Sequence, residues 1–435
     1  MRIGVDGYNL ALPHGTGVAT YAAALASTLQ SMGHHVTGVF GLNVDGSTAQ
    51  REVLFFDGLQ RPQPVRHRKS IGAWIVDGTR ILTGPRLQDV PLTDLVEKGV
   101  YRDRFPKFDR LVSMRDLFAL AHLVFRKTDR FLTVTMADPP EIMHWTYPVP
   151  IRLRGARNVY TLHDLVPLKL PYATLDAKRR YFSLIEQCLR SADQICTVSE
   201  ASRCDVIEHF GFAAARITNT YQTAPLPAEI VAGSAEGDAA IVEGVFGLQK
   251  DQYILYYGAI EPKKNVQRLV EAYLSSDTAV PLVIVGKSWG AAAEQRLDGA
   301  DDPIRGLYGQ TLSDRIIRLE YLPRSLLLRL VRGARALAFP SLYEGFGLPV
   351  LEAMAMGTPV LTSTTGSIPE IAGEAAILVD PYDIGAIRAG LVQLDRDDEL
   401  RERLARAGPA RAQLFSEDRY RERLAALYSA ASAVS

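Results

Sequence analysis

Two glutamates, Glu344 and Glu352, stand eight positions apart in the stretch SLYEGFGLPVLEAMAMGTPVL, residues 341–361. Gly345 and Gly347 crowd the first of them, and both permit backbone angles and close approaches that other residues refuse. Pro349 suits the first position of a helix, and Gly357 and Pro359 end it. That helix turns its free N–H groups toward whatever lies beyond the preceding strand, ALAFPS. Such a helix start receives a phosphate or a sugar oxygen. Each carboxylate can accept two hydrogen bonds from neighbouring hydroxyls. Two carboxylates flanking an anion site suit a ligand that carries a diphosphate between two polyols, which is the layout of a nucleotide sugar.

Three further clusters fit the same ligand. In YYGAIEPKKNVQRLV a strand ends at Gly258, and Lys263 and Lys264 precede a helix that Asn265 is placed to cap. Cations beside a helix start stabilise charge that builds on a leaving phosphate. In HGTGVATY, Gly15, Thr16 and Gly17 open the first helix. The third glycine of a dinucleotide fingerprint is replaced by Thr20, so this turn reads as a close backbone approach to a ligand and not as an NAD site. In YTLHDL, His163 ends a strand, where it can bond a sugar hydroxyl or a phosphate, or serve structure alone. Asp395 and Asp397, in LDRDDELRERL, have the spacing of a metal-holding pair, but they sit between two amphipathic helices and read as caps.

These residues need a scaffold. The chain has 435 residues, too many for one ordinary core. Strands alternate with helices in both halves, the pattern of parallel sheets covered by helices. The first half holds RIGVDG, HVTGVF, NVYTLHDL and QICTVS. The second holds YILYYG, PLVIVG, ALAFPS, PVLTS and AILVD. We therefore expect an α/β protein of two doubly wound, Rossmann-like domains facing each other across a cleft. Residues 1–225 form the first, with an irregular and partly basic insertion at about 42–130. Residues 226–250, rich in Ala, Gly and Pro and without clear period, form a linker. Residues 251–414 form the second domain, and 415–435 an amphipathic tail helix. Ligands of such sheets bind beyond the carboxyl ends of the strands, which is where the glycine turns fall.

Composition excludes several classes. Lys and Arg total 49 and Asp and Glu total 49, so no long-range field draws the chain to nucleic acid. The three cysteines, Cys188, Cys196 and Cys204, form no C-x-x-C pair and suit a reducing compartment. The first residues do not read as a signal peptide, and no apolar run reaches the length of a membrane span. A cytoplasmic protein, peripheral on the inner membrane at most, is the expectation.

Together, EGFGLPVLE, GAIEPKKN, TLHDLVPL and ICTVSEAS resemble the family-4 retaining glycosyltransferases of the GT-B fold. The resemblance covers both halves and the tail. It implies that Glu344 contacts the donor sugar and that the N–H groups of Phe346 to Leu348 hold sugar and phosphate. It puts the ribose hydroxyls on Glu352, the diphosphate on Lys264, and Gly15, Thr16 and Gly17 on the diphosphate from the other domain. His163 falls near the transferred sugar, Leu322 at the base, and the tail helix crosses back to the N-terminal domain, which binds the acceptor. Many relatives carry an arginine six residues before the lysine. Here that position is Gly258, and Lys263 is the candidate to share the charge.

The implied reaction retains configuration at the anomeric carbon and needs no metal, and no residue stands out as a covalent nucleophile. The donor nucleotide sugar is substrate, and no other cofactor is called for. The style of EPKKN and HDLVPL resembles bacterial mannosyltransferases of surface polysaccharide assembly. GDP-mannose is the first expectation for the donor, with UDP-glucose and dTDP-rhamnose as alternatives, and a glycan or lipid-linked oligosaccharide is the acceptor. The basic and aromatic segment 101–127 suits contact with an anionic membrane, or a solvated helix packed on the domain. Rival readings are an epimerase or a phosphorylase, whose cofactor lysine motif is absent, and a non-catalytic scaffold or sugar-nucleotide sensor. The sequence leaves the oligomeric state open.

Overall fold

The fold is described from a computed structural model, over residues 1–12, 17–60, 84–93, 96, 105–174, 176–287, 315–320 and 322–433. Two sheets organise it. The first runs β10 (Ile217–Asn219), β9 (Gln194–Thr197), β8 (Arg157–Leu162), β6 (Ile142–Trp145), β1 (Arg2–Asp6), β2 (His35–Phe40), β4 (Arg110–Ser113) and β3 (Gln88–Val90). All neighbours are parallel except β3 and β4. A small pair, β5 (Leu132–Val134) with β7 (Ile151–Leu153), lies apart from it. The second sheet is wholly parallel, in the order β13 (Ile316–Leu319), β12 (Leu282–Val285), β11 (Ile254–Tyr257), β14 (Ala336–Phe339), β15 (Val360–Ser363) and β16 (Ile377–Val379).

The central strands are apolar throughout: Ile254 to Tyr257, Leu282 to Val285 and Ala336 to Phe339 are all buried. Helices cover such a sheet on both faces, so its strands show no alternation. Each sheet has a switch point where the order reverses, between β1 and β6 in the first and between β11 and β14 in the second. Crevices open there, at the strands' carboxyl ends.

The stretch 226–250, expected as a linker, instead folds as helices Ala228–Ala232 and Ala235–Phe246. Ser234 caps the second by accepting from Gly237 N–H at 3.0 Å. Its anchor is polar. The buried Asp238 carboxylate accepts from Arg329 and from Arg332, the latter at 2.6 Å, on helix Arg324–Gly333. An Ala- and Gly-rich helix held by a carboxylate carries no hydrophobic period.

The insertion is likewise more ordered than its sequence suggests. Helix Thr48–Gln60 buries Glu52, whose carboxylate accepts from the N–H and hydroxyl of Thr93. RPQPVRHRKS lies outside the described residues. Segment 101–127 is not one surface element. Of its described part, β4 buries Leu111 and Val112 in the first sheet, and helix Leu117–Thr128 follows. The tail helix, Glu417–Ala433, packs against the first sheet, where Tyr428 bonds His144 of β6 at 2.7 Å.

Candidate active site

The sequence motifs meet at the two switch points. Gly258 ends β11 with a φ of 144°, and a short 3-10 turn, Pro262–Lys264, follows it. Lys264 Nζ lies 2.7 Å from Glu344 Oε1, across the gap between β11 and β14, with both side chains largely buried. The lysine also sits over the Phe339 ring, 5.1 Å from its centroid. Lys263 is half-buried beside it. Burial opposes its charge, but Asp164, Glu344 and Glu261 outweigh that and hold its pKa above the ordinary lysine range. Asn265 occupies the helix N-cap position without capping. Its amide donates instead to Pro340 O at 2.9 Å and Pro381 O at 2.7 Å, tying the lysine turn to the ends of β14 and β16.

The loop carrying Glu344 is buttressed from behind. Ser367 donates to Glu344 O through both its N–H and its hydroxyl. Gly366, with a φ of 62°, passes so close that a β-carbon would lie 2.8 Å from Glu344 O. Gly347 is the N-cap of helix Leu348–Ala355, with a φ of 96°. The first carbonyl to receive intrahelical bonds is that of Gly347, so the N–H groups of Phe346, Gly347 and Leu348 precede the helix ladder. Pro349 is the second helical residue and not the first, and Glu352 lies in the second turn. Both oxygens of Glu352 are engaged: Tyr257 O–H donates to Oε2 at 2.5 Å, and Arg324 lies 2.7 Å from Oε1.

The other face of the crevice comes from the first sheet. His163 follows β8 and is half-buried. Its Nε2 lies 2.8 Å from Thr146 O, at the end of β6. A carbonyl only accepts, so Nε2 carries the proton and Nδ1 remains an acceptor. Burial lowers the pKa of this histidine, which keeps it neutral at pH 7. Thr146 N–H in turn donates to Asp6, at the end of β1. Burial pushes the Asp6 carboxyl up to about 6, against the opposing effect of the bonds it accepts. Asp6, Thr146 and His163 thus form a chain of contacts across the first switch point.

The two faces touch. A β-carbon on Gly345 would lie 2.3 Å from His163 O, so glycine is required here by the opposing strand end, and not for ligand approach alone. Ser202 O–H donates to the same carbonyl at 2.6 Å. A β-carbon on Gly17, the first residue of helix Gly17–Ser31, would lie 4.0 Å from Leu348 Cδ1, so the two helix starts face each other. Gly15 and Thr16 lie outside the described residues. Leu322 is half-buried just before helix Arg324–Gly333.

Comparison with known proteins decides the family. Residues 15–221 match the family model for Glycosyltransferase Family 4, and residues 243–411 match Glycosyl transferases group 1. The O-antigen chain mannosyltransferase B of Escherichia coli is 36% identical over 280 residues, which are 62% of this chain and 68% of that protein. The chain belongs to glycosyltransferase family 4 and has the GT-B fold.

Other relatives of this glycosyltransferase include the serotype-specific mannosyltransferase WbdA of Escherichia coli. It is 28% identical over 278 residues, 62% of this chain but only 33% of WbdA. Sucrose-phosphate synthase from Thermosynechococcus elongatus has the same fold, with a TM-score of 0.64 at 20% identity, over 99% of this chain and 98% of that one. So has Anabaena Alr3699/HepE, solved with UDP and glucose. Its TM-score is 0.63 at 14% identity, over 98% of this chain and 99% of that one.

Sequence reasoning missed several residues that shape this crevice. Tyr257 is the second tyrosine of YYG, and Arg324 stands two residues after Leu322. Neither has a local signal, because each meets Glu352 only through the sheet order. Glu370 is another. It accepts from Glu200 N–H at 3.0 Å and Ala201 N–H at 2.9 Å, capping helix Glu200–Phe210 from the opposite half of the chain. Asp395 and Asp397 are engaged separately, and only the second is a cap. Asp397 caps helix Asp398–Ala412, and Asp395 accepts from Arg335 at 2.5 Å.

Proposed function

We propose that this glycosyltransferase moves a hexose from a nucleotide sugar, GDP-mannose first, onto a glycan acceptor of bacterial surface polysaccharide. Configuration at the anomeric carbon is retained and no metal takes part. The observation that carries this reading is the convergence of the Lys264–Glu344 pair, the Leu348–Ala355 helix start and His163 on one crevice. The mannosyltransferase names of its relatives support the choice of sugar and of polymer.

In this reading the diphosphate lies at the N–H groups of Phe346, Gly347 and Leu348, with Lys264 and Lys263 supplying positive charge. Lys263 stands in for the arginine that Gly258 replaces. Fixed donors and cations aimed at a departing phosphate act without reorganisation, which is the largest lever such a site has. The donor sugar lies between Glu344 and His163, whose Nδ1 accepts from a sugar hydroxyl. Glu352 accepts from the ribose hydroxyls, after Arg324 yields Oε1. The bond from anomeric carbon to phosphate oxygen breaks, the acceptor oxygen bonds that carbon on the same face, and the acceptor's proton passes to the departing phosphate.

A thermal-shift panel of GDP, UDP and dTDP and their sugars tests the donor, with Glu352→Ala alongside. A ligand at 100 times its Kd adds about 2.7 kcal/mol, a shift of a few degrees. The expected result is a shift with GDP and GDP-mannose that Glu352→Ala loses. A UDP-only shift would replace the donor, and a flat panel on folded protein would favour the sensor reading. NMR of the product tests retention, and full turnover in EDTA tests metal independence.

A further inference from the structure

A cavity of about 340 Å³ opens in the first domain between helices Leu117–Thr128 and Lys178–Ser191. Its volume falls within the roughly 300–1,000 Å³ of small-ligand sites. Tyr147 and Tyr181 form its inner wall, with His122 and Asp176 beside them. A second hollow of about 540 Å³ shares Phe125, Arg126 and Arg180 with it and continues outward past Arg179.

The inner end reaches the catalytic crevice. Tyr147 stacks on His163 at 6.5 Å between ring centroids, and Tyr181 O–H donates to Asp164 O at 2.9 Å. The outer end is basic. Arg126, Lys127, Arg179 and Arg180 line the two hollows, against the carboxylates of Asp129 and Asp176. Asp129 is already engaged by Ser183 O–H at 2.5 Å. Arg126, Arg179 and Arg180 are exposed and make no ion pair or hydrogen bond among the described residues.

We propose that this groove is the acceptor site, and that it takes a short glycan whose far end carries a phosphate or diphosphate. The inference rests on the transferase reading above and specifies its second substrate. Tyrosine faces pack against the C–H faces of sugar rings, while their hydroxyls and Asp176 meet sugar hydroxyls. The non-reducing end then lies against Tyr147, next to His163, where a hydroxyl must be presented to the donor sugar. The guanidinium forks at the mouth match phosphate oxygens, which they bind in pairs. Lys127 and Arg179 line the outer hollow alone, so within the groove the positive charge grows toward the mouth and sets the direction in which a glycan enters.

The test uses the full chain, with and without GDP. Two probes are titrated calorimetrically: a mannobiosyl diphosphate on an eleven-carbon alkyl chain, and the same disaccharide as a neutral alkyl glycoside. The diphosphate probe is expected to bind at least about tenfold tighter, a difference of about 1.4 kcal/mol. Arg126→Gln/Arg180→Gln should bring the two probes to parity while the GDP thermal shift stays intact. Equal binding of both probes to the parent protein, or unchanged binding in the variant, overturns the proposal. So does arginine-dependent binding of phosphatidylglycerol vesicles without binding of the soluble probe, which would make the groove a membrane contact. A missing GDP shift with arginine-dependent probe binding leaves the groove standing and removes the donor reading instead.

Discussion

Gly345→Ala tests whether the two halves of the site must touch. Gly345 does not use a left-handed φ, so alanine costs nothing in local backbone conformation. The whole effect comes from its β-carbon, which would meet the His163 carbonyl at 2.3 Å. Carbon–oxygen contacts relax to about 3.3 Å, so the halves must part by about 1 Å. A carbonyl at a strand end cannot rotate aside as a long side chain can. A misplacement of about 1 Å between reacting groups costs on the order of 100-fold in rate, or about 2.7 kcal/mol. We expect kcat for transfer to fall by about that factor. The Tm should stay within a few degrees, because separation relieves the clash without opening either core. Steady-state transfer kinetics with the preferred donor, read beside a melting curve, measure both. Full kcat in Gly345→Ala at an unchanged Tm would refute the idea that His163 and Glu344 act from touching faces.

Three more perturbations separate the contributions of the site. Lys264→Met leaves Glu344 buried without its partner at 2.7 Å. Breaking such a pair from one side costs about 3–5 kcal/mol, so chemical denaturation should show a large loss that Lys264→Met/Glu344→Gln partly restores, while both variants lose turnover. Tyr257→Phe removes the hydroxyl that fixes Glu352 Oε2 at 2.5 Å. A hydrogen bond to a charged group is worth about 1.5–3 kcal/mol, and we expect a donor KM raised roughly tenfold or more with kcat little changed. An equal loss in kcat alone would place Glu352 in the chemical step. Asp6 takes its proton at about 6 in the folded chain, against 3.8 for an ordinary aspartate carboxyl. Between those values the native state binds more protons than the unfolded state, so the contribution of Asp6 to stability is greatest below pH 3.8 and falls as pH rises toward 6. That shift amounts to about 3 kcal/mol. Urea midpoints from about pH 4 to 7 should show this slope, and Asp6→Asn should flatten it.

Much of the site is legible in the sequence because its parts are local. EGFGLPVLE contains its own strand exit, glycine cap and helix, and those events depend on neighbours in sequence. EPKKN and TLHDL likewise mark strand ends by themselves. Glu344, Lys264 and His163 all stand out from such strings. The stretch 226–250 reads as a linker because its helix is anchored by the Asp238 carboxylate on Arg329 and Arg332, and hydrophobic periodicity cannot report a polar anchor. Segment 101–127 reads as a surface element because its basic residues obscure Leu111 and Val112, which the first sheet buries.

The sequence by itself determined the alternation of strands and helices, the glycine turns, the family and some residues of the crevice, Glu344, Lys264 and His163 among them. Each follows from short-range rules of backbone freedom, capping and apolar runs. The tertiary structure alone decided which of those residues meet. Strand order brings Lys264 onto Glu344, lays Tyr257 and Arg324 on the two oxygens of Glu352, and sets the Gly345 backbone against His163. Strand order is fixed by the packing of whole helices on whole sheets, and no window of neighbouring residues contains it.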